Sequence, residues 1–115
     1  MAVKYCRIKK RIDFENLFRK SKTIPGKLVF FKVKKNGMDS SRFCVVVGLK
    51  IAKKAAIRNK TKRRIKEILR NVYPLLKPGF DIAIITKKEI LGKKYNTIAE
   101  EINDLLKSAK IIEQR

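Results

Sequence analysis

Several residue types that would define a chemistry for this chain are scarce or missing. Its 115 residues contain no histidine, no tryptophan and only two cysteines. Cys6 and Cys44 are isolated from each other and, without histidine, they cannot complete a Cys/His zinc site. We therefore expect both thiols to be reduced and uncoordinated, and the sequence predicts no metal bound by protein side chains.

Acidic residues are few, 10 against 31 lysines and arginines, and they are dispersed along the chain. Two-metal cleavage of a phosphodiester needs clustered carboxylates, and a metal-free route usually needs histidine as acid or base. Glu100 and Asp104 are spaced to share a helix face, but Lys107 beside them makes a surface ion pair the better interpretation. We predict that no side chain of this protein is catalytic.

Long apolar runs are also missing. The longest lie around residues 43–49 and 82–85, far short of the ~20 residues that a spanning helix needs. The first residues contain no apolar segment of the kind that marks a signal peptide. The sequence predicts a cytoplasmic protein with no membrane partner.

What the chain has in excess is positive charge, a formal +21. A chain of this length is expected to form a single domain, residues 1–115, with 44% hydrophobic residues to build its core. Such a charge imbalance makes a folded domain repel itself, so it usually serves to bind a polyanion. Nucleic acid is the leading candidate for that polyanion, and an anionic membrane surface is the alternative.

Apolar periodicity predicts an α+β fold, an α/β sandwich in which helices pack on one mixed sheet. The expected order is helix 13–20, strand 27–34, strand 42–47, helix 55–73, strand 80–86 and helix 97–109. The first two strands flank a turn and are predicted to pair as an antiparallel hairpin. The strongly apolar strand 80–86 is expected inside the sheet. A further short strand is expected near Ile51 or in the N-terminal region.

The helix predicted over residues 55–73 contains the stretch IRNKTKRRIK, with six positive charges in ten residues. At about 100° of rotation per residue, its apolar and polar positions separate onto opposite faces. The apolar stripe consists of Ile57, Thr61, Ile65, Ile68, Leu69 and Val72. The opposite face consists of Asn59, Lys62, Arg63, Lys66 and Arg70.

An ordinary solvated face is the alternative interpretation of this charge run. Such faces usually alternate signs, because Glu and Lys at i, i+4 support a helix. Between Lys50 and Arg70, however, ten basic residues accompany one acid, Glu67. This imbalance favours an anionic partner, and the planar guanidinium of Arg58 and the amide of Asn59 suit phosphates, base edges and 2′-hydroxyls.

These residues resemble the bacterial ribonuclease P protein family, whose signature is Arg-Asn-x-x-Lys-Arg on a helix that follows a Lys-bearing turn. The signature stands here as residues 58–63, RNKTKR. Three flanking segments are similar to the family in order and spacing: Asp13-Phe14 with Phe18-Arg19, Val29-Phe30-Phe31, and the strand from Gly79 to Ile85. The resemblance covers residues 7–106.

The resemblance implies an endoribonuclease in which the RNA subunit is the catalyst and removes the 5′ leader of precursor tRNA. It also implies magnesium ions bound mainly by that RNA, no obligate protein partner, and a left-handed βαβ crossover. The residues that it assigns to the RNA subunit are Lys53, Lys54, Arg58, Asn59, Lys62, Arg63, Lys66 and Arg70. Those that it assigns to a cleft for the single-stranded leader are Phe14, Phe18, Phe31 and Lys50.

Two alternatives stay open on the residues alone. Phenylalanines can stack on single-stranded bases, but at this spacing they are more often part of a core, and only one of Phe30 and Phe31 can face the main core. A small ribosomal or ribosome-assembly protein would share the size, charge and α+β class. The ordered match of motifs favours the ribonuclease P interpretation.

Overall fold

The computed structural model describes Glu15 and residues 17–19, 21–48 and 50–112. Glu15 and residues 17–19 are helical. Four strands follow the chain order β1 Lys22–Ile24, β2 Val29–Lys35, β3 Arg42–Val46 and β4 Phe80–Thr86. A long helix, the basic helix, spans Ala55–Val72, and the C-terminal helix spans Tyr95–Ser108. Short 3-10 turns, Tyr73–Leu75 and Lys88–Ile90, follow the basic helix and β4.

These elements form one mixed sheet with helices packed on it, which confirms the predicted α+β class. The strand order is β1-β2-β4-β3. β1 pairs antiparallel with β2, β2 pairs antiparallel with β4, and β3 runs parallel to β4. The short strand expected in the N-terminal region is β1.

The predicted hairpin between the second and third strands is wrong, because β4 lies between them. β4 is buried at five of its seven positions. A strand that is apolar on both faces gains most from a central position, where each edge has a partner strand. β3 and β4 are therefore parallel neighbours joined through the basic helix, while the left hand of this crossover stays a prediction.

Strand register divides the sheet into two faces. On the core face, Phe31 of β2 stands opposite Ile84 of β4, which pairs in turn with Val45 of β3. On the outer face, Phe30 stands opposite Ile85, which pairs with Val46. The main core forms between the core face and the two long helices, with Phe31, Ile65 and Ile102 among its fully buried members.

The basic helix contacts this core through the predicted apolar stripe, with one exception. Five positions are buried: Thr61, Ile65, Ile68, Leu69 and Val72. Ile57 was predicted to join them, but it is 42% exposed. Ile57 lies in the first turn of the helix, where it lines an open groove and not the main core.

A carboxylate on the C-terminal helix fixes the start of β2. Glu101 accepts hydrogen bonds from the backbone N–H groups of Lys27, Leu28 and Val29 at 2.8, 2.7 and 2.9 Å. The approach is so close that a side chain at Gly26 would collide with the Val29 carbonyl oxygen and lie 2.8 Å from Leu105 Cδ1. Glycine is therefore required at this turn.

We expect Glu101→Gln to lower the free energy of unfolding by about 2–3 kcal/mol, because hydrogen bonds to a charged acceptor are the strong ones. The amide nitrogen of glutamine would also face backbone donors. Urea denaturation measures the loss. The exposed neighbour Glu100 supplies the matched control, Glu100→Gln, for which little change is expected; equal losses in both variants would contradict the role assigned to Glu101.

A second polar cluster ties β3 to the segment that follows the basic helix. The hydroxyl of Tyr73 donates to the Ser41 carbonyl oxygen at 2.6 Å. The Ser41 hydroxyl donates to the Lys77 carbonyl oxygen at 2.7 Å and accepts from the Phe80 N–H at 3.1 Å. Since Tyr73 caps the end of the basic helix, these bonds fix that end of the helix relative to the sheet.

Candidate nucleic-acid interface

A stripe of cationic and polar side chains follows the solvent side of the basic helix, as predicted from the sequence. Asn59, Arg63 and Arg70 are exposed, and Lys62 and Lys66 are half-buried. The positions i, i+3, i+4 and i+7 lie on one face of a helix, so these side chains form a single surface. We call it the basic face; it lies opposite the residues that the core holds.

The beginning of the basic helix adds to this positive surface. Its N-cap residue, Lys54, makes no side-chain capping bond, and the first turn contains no acidic residue. The positive end of the helix dipole is therefore not offset by a local carboxylate. Lys50, Lys53 and Lys54 are exposed around it, and backbone N–H groups at such a terminus favour phosphate.

Arg58 plays a part that the sequence did not predict. Its Nη1 donates to the carbonyl oxygens of Ala52 and Lys53 at 2.8 and 2.6 Å. These bonds hold the Lys-bearing turn against the first turn of the basic helix. Arg58 is half-buried, so it positions the turn, and only its other nitrogen atoms remain for a phosphate.

The aromatic residues are distributed differently from the prediction. Phe31 is completely buried in the main core, between the sheet and the helices. The prediction that Phe31 contacts a leader is therefore wrong, since a ring without exposed surface cannot stack on a base. Phe18 is 38% exposed. Phe14 lies outside the described residues.

Phe30 is an aromatic residue on the sheet that the sequence did not identify as a candidate contact for the leader. It lies on the outer face of the sheet and is half-buried, in a row with Ile85 and Val46. The next row of that face contains Lys32, whose Nζ donates to the Thr23 hydroxyl at 2.6 Å. Alternation along β2 placed Phe30 and Phe31 on opposite faces, but it did not tell which face the helices cover.

Among the acidic residues that the structure describes, Asp81 is the most buried, and it is engaged in a structural network. Arg42 binds it in a bidentate manner, Nε to Oδ1 at 2.9 Å and Nη2 to Oδ2 at 2.6 Å, and Asn36 Nδ2 donates to Oδ1 at 2.8 Å. Nearby on the outer face, burial and, to a smaller extent, the Asp81 charge together raise the pKa of the Cys44 thiol to about 11. Cys44 is a free thiol, and its high pKa keeps it protonated at neutral pH; Cys6 lies outside the described residues.

The described residues contain neither a cluster of metal ligands nor a membrane-spanning helix. Over residues 17–19, 21–48 and 50–112, together with Glu15, no three cysteine or acidic side chains are grouped so that they could hold a metal ion. In the same part of the chain, no helix is both long and apolar enough to cross a bilayer.

Fold and charge together define a small α+β protein with one strongly basic helix face. A sequence model of the family described as Ribonuclease P matches residues 3–110. The ribonuclease P protein component of a Synechocystis species is 32% identical over 111 residues, which cover 96% of this chain and 90% of that protein. The corresponding protein of Thermotoga maritima is 34% identical over 105 residues, which cover 88% of this chain and 89% of that protein.

Solved structures give the same result. The ribonuclease P protein of Thermotoga maritima superimposes with a TM-score of 0.81 at 35% identity, covering 94% of this chain and 98% of that one. The Staphylococcus aureus protein superimposes with a TM-score of 0.85 at 26% identity, covering 96% and 100%. This chain belongs to the ribonuclease P protein family.

Proposed function

We propose that this protein is the subunit of ribonuclease P that docks on the catalytic RNA and helps it to remove the 5′ leader from precursor tRNA in the cytoplasm. The observation that carries the proposal is the basic face, where the sequence confines its charge to the side of the helix that the core does not use. Membership of the ribonuclease P family supports the subunit role.

The basic face would act by neutralising phosphates of the RNA subunit. Arg63 and Arg70 project from the middle and the end of the helix, while Lys53 and Lys54 stand at its uncapped beginning. A row of cations along one axis suits a polyanion whose charges are also in a row, and each contact releases a bound counterion. We propose Lys62, Lys66 and Asn59 as further contacts of the same RNA, with Arg58 holding the turn.

Magnesium is assigned to the RNA in this proposal. The acidic residues of the described chain offer no grouped ligand set, and Asp81, which is buried, is already bound by Arg42 and Asn36. We therefore propose that the magnesium ions are bound mainly by the RNA. What the protein supplies is positive charge, which lets the RNA fold and bind substrate with less of the cation.

The leader of the precursor would lie on the outer face of the sheet. Phe30 with Ile85 and Val46 gives this face a half-buried apolar row, and unpaired bases associate with such surfaces beside cations. Leu17 is 1% exposed, so the helical residues around it pack against the rest of the protein. Phe18 and Lys50 stay candidates for the leader, and Phe30 replaces Phe31.

The experiment that tests this function is cleavage of a precursor tRNA at low magnesium concentration. Three reactions are compared: the protein alone, a ribonuclease P RNA alone, and both together. We expect correct 5′ maturation only in the third, because at low magnesium the RNA lacks the charge neutralisation that the basic face provides.

Each other outcome contradicts the proposal in a different way. Cleavage by the protein alone would place the catalyst in this chain. Tight RNA binding without any gain in cleavage would indicate a ribosomal or ribosome-assembly protein instead. The same precursor with a single-nucleotide leader is the matched control, and it should gain less from the protein than the full-length leader does.

A further inference from the structure

A second surface with an excess of positive charge lies on the flank of the basic helix, away from the basic face. It is a groove of about 340 Å³ between the first half of that helix and the loop that leads to the C-terminal helix. We call it the flank groove. Its lining residues are Ile57, Lys60, Thr61, Arg64, Ile90, Leu91, Gly92, Lys93, Lys94 and Ile98.

The composition of the flank groove is unusual for a gap between two elements. Four of its ten lining residues are cationic and none is acidic. Two large apolar side chains in it are exposed to solvent, Ile57 at 42% and Leu91 at 38%. Exposed apolar surface surrounded by charge of one sign marks a binding site more often than a plain solvated surface.

The loop side of the groove is held in place by the helix. Arg64 Nη1 donates to the Lys93 carbonyl oxygen at 3.2 Å. Gly92 has a φ of +78°, a left-handed conformation that glycine adopts without strain, and it forms the turn between Leu91 and Lys93. Two helical turns further on, Asn71 Nδ2 donates to the Tyr95 hydroxyl at 3.2 Å. These contacts within the protein fix the shape of the groove, so it is formed before a ligand binds.

Size and chemistry together identify the occupant. The volume lies at the low end of the ~300–1,000 Å³ typical of ligand sites, so it suits one nucleotide-sized group rather than a helix or a strand. The apolar floor would bury the face of an unstacked base, and the lysine ammonium groups at the rim would donate to its phosphate. A duplex has no unstacked base to place on the apolar floor, so it would contact only the lysines at the rim.

We infer that the flank groove binds one unpaired nucleotide of the ribonuclease P RNA, with its base on Ile57 and Leu91 and its phosphate near Lys93 and Lys94. The inference rests on the proposed function and adds a contact to it. The RNA subunit is the source because Lys60 and Arg64 of the groove immediately follow Asn59 and Arg63 of the basic face along the helix. The outer face, proposed for the leader, lies on the other side of the sheet.

The test measures equilibrium binding of a ribonuclease P RNA to the full-length protein over a series of salt concentrations. Lys93→Glu/Lys94→Glu changes the rim without altering the basic helix, and Leu91→Ala changes only the floor. The control is Lys35→Glu/Lys77→Glu, which has the same net charge as the rim variant. Its two lysines are exposed near the opposite end of β4 from the loop.

We expect the rim variant to weaken binding by about tenfold and to reduce the slope of log K against log salt by about 1, as loss of one phosphate contact predicts. Leu91→Ala should weaken binding with an unchanged slope, because it removes apolar contact and no charge. The control should have a smaller effect than the rim variant. Thermal unfolding of each variant verifies that the domain is intact.

Several results would overturn the inference. Rim and control variants that weaken binding equally would show an effect of net charge alone. A precursor tRNA with a leader is titrated in the same way, and if Leu91→Ala weakens only that complex, the groove belongs to the substrate. Arg63→Glu, measured in parallel, separates the two proposals: if it weakens binding while the groove variants do not, only the groove inference fails, and if it has no effect, the proposed docking function itself fails.

Discussion

Replacing Phe31 by alanine is expected to lower the free energy of unfolding by about 3–5 kcal/mol, a large part of the ~5–15 kcal/mol that stabilises a typical domain. The ring is fully buried between the sheet and the helices, so its removal leaves a cavity as well as losing buried area. Urea denaturation monitored by circular dichroism measures the change.

Phe30→Ala is the matched control, because the same ring is removed from the adjacent position on the other face of β2. We expect a smaller loss of stability, since this ring is only half-buried. We also expect a reduced benefit of a 5′ leader in the cleavage assay, with docking on the RNA subunit preserved. Near-native stability of Phe31→Ala together with a specific leader defect would reverse the assignment of the two residues.

Charge reversal on the basic face, Arg63→Glu/Arg70→Glu, is expected to weaken RNA binding by about 100-fold at ~0.1 M salt. Each phosphate contact changes the slope of log K against log salt by about 1, which amounts to roughly tenfold per contact at that concentration. The slope should therefore fall by about 2. Both side chains are exposed, so stability should change little.

The control for this variant is again Lys35→Glu/Lys77→Glu, which has an identical net charge. Binding is measured by titrating labelled RNA at several salt concentrations. A complex that is insensitive to salt, or an equal loss in the control, would mean that the basic face is not the docking surface.

Local pattern was sufficient to predict the elements themselves. The basic helix was expected over 55–73 and spans Ala55–Val72, and the strand expected over 80–86 is β4 at the same residues. The helix has a regular apolar period and β4 is a nearly continuous apolar run, and proline and glycine follow the helix at 74, 78 and 79. The helix expected over 97–109 begins two residues earlier, at Tyr95.

Pairing between distant segments was harder to predict than the segments. Nearness in sequence suggested a hairpin of β2 with β3, but the apolar pattern of β4 already indicated a strand with a neighbour on each side. Treating that pattern as a constraint on the whole sheet would have placed β4 between the other two. The same applies to Phe30 and Phe31: alternation separates them, but only the position of the helices decides which is buried.

The candidate site was predicted only where it depends on one element. The basic face is a property of a single helix, so its residues could be taken from the sequence. The flank groove requires the loop 88–94 to meet the helix, and the role of Arg58 requires the turn at residues 52–53 to fold back on it. No local pattern in the sequence predicts either contact.

The central position of β4 also affects the order in which the protein can fold during synthesis. β3 pairs with β4 among the described strands, so when residues 42–72 have left the ribosome they have no sheet on which to settle. The basic helix is then a segment rich in like charges, with its apolar stripe uncovered, and such a helix is marginal by itself. Only after Thr86 has also left the ribosome can β2, β3 and the helix assemble around β4, because non-local pairing must wait for its last member. Until then the ten basic residues between Lys50 and Arg70 and the apolar stripe of the same helix are exposed together.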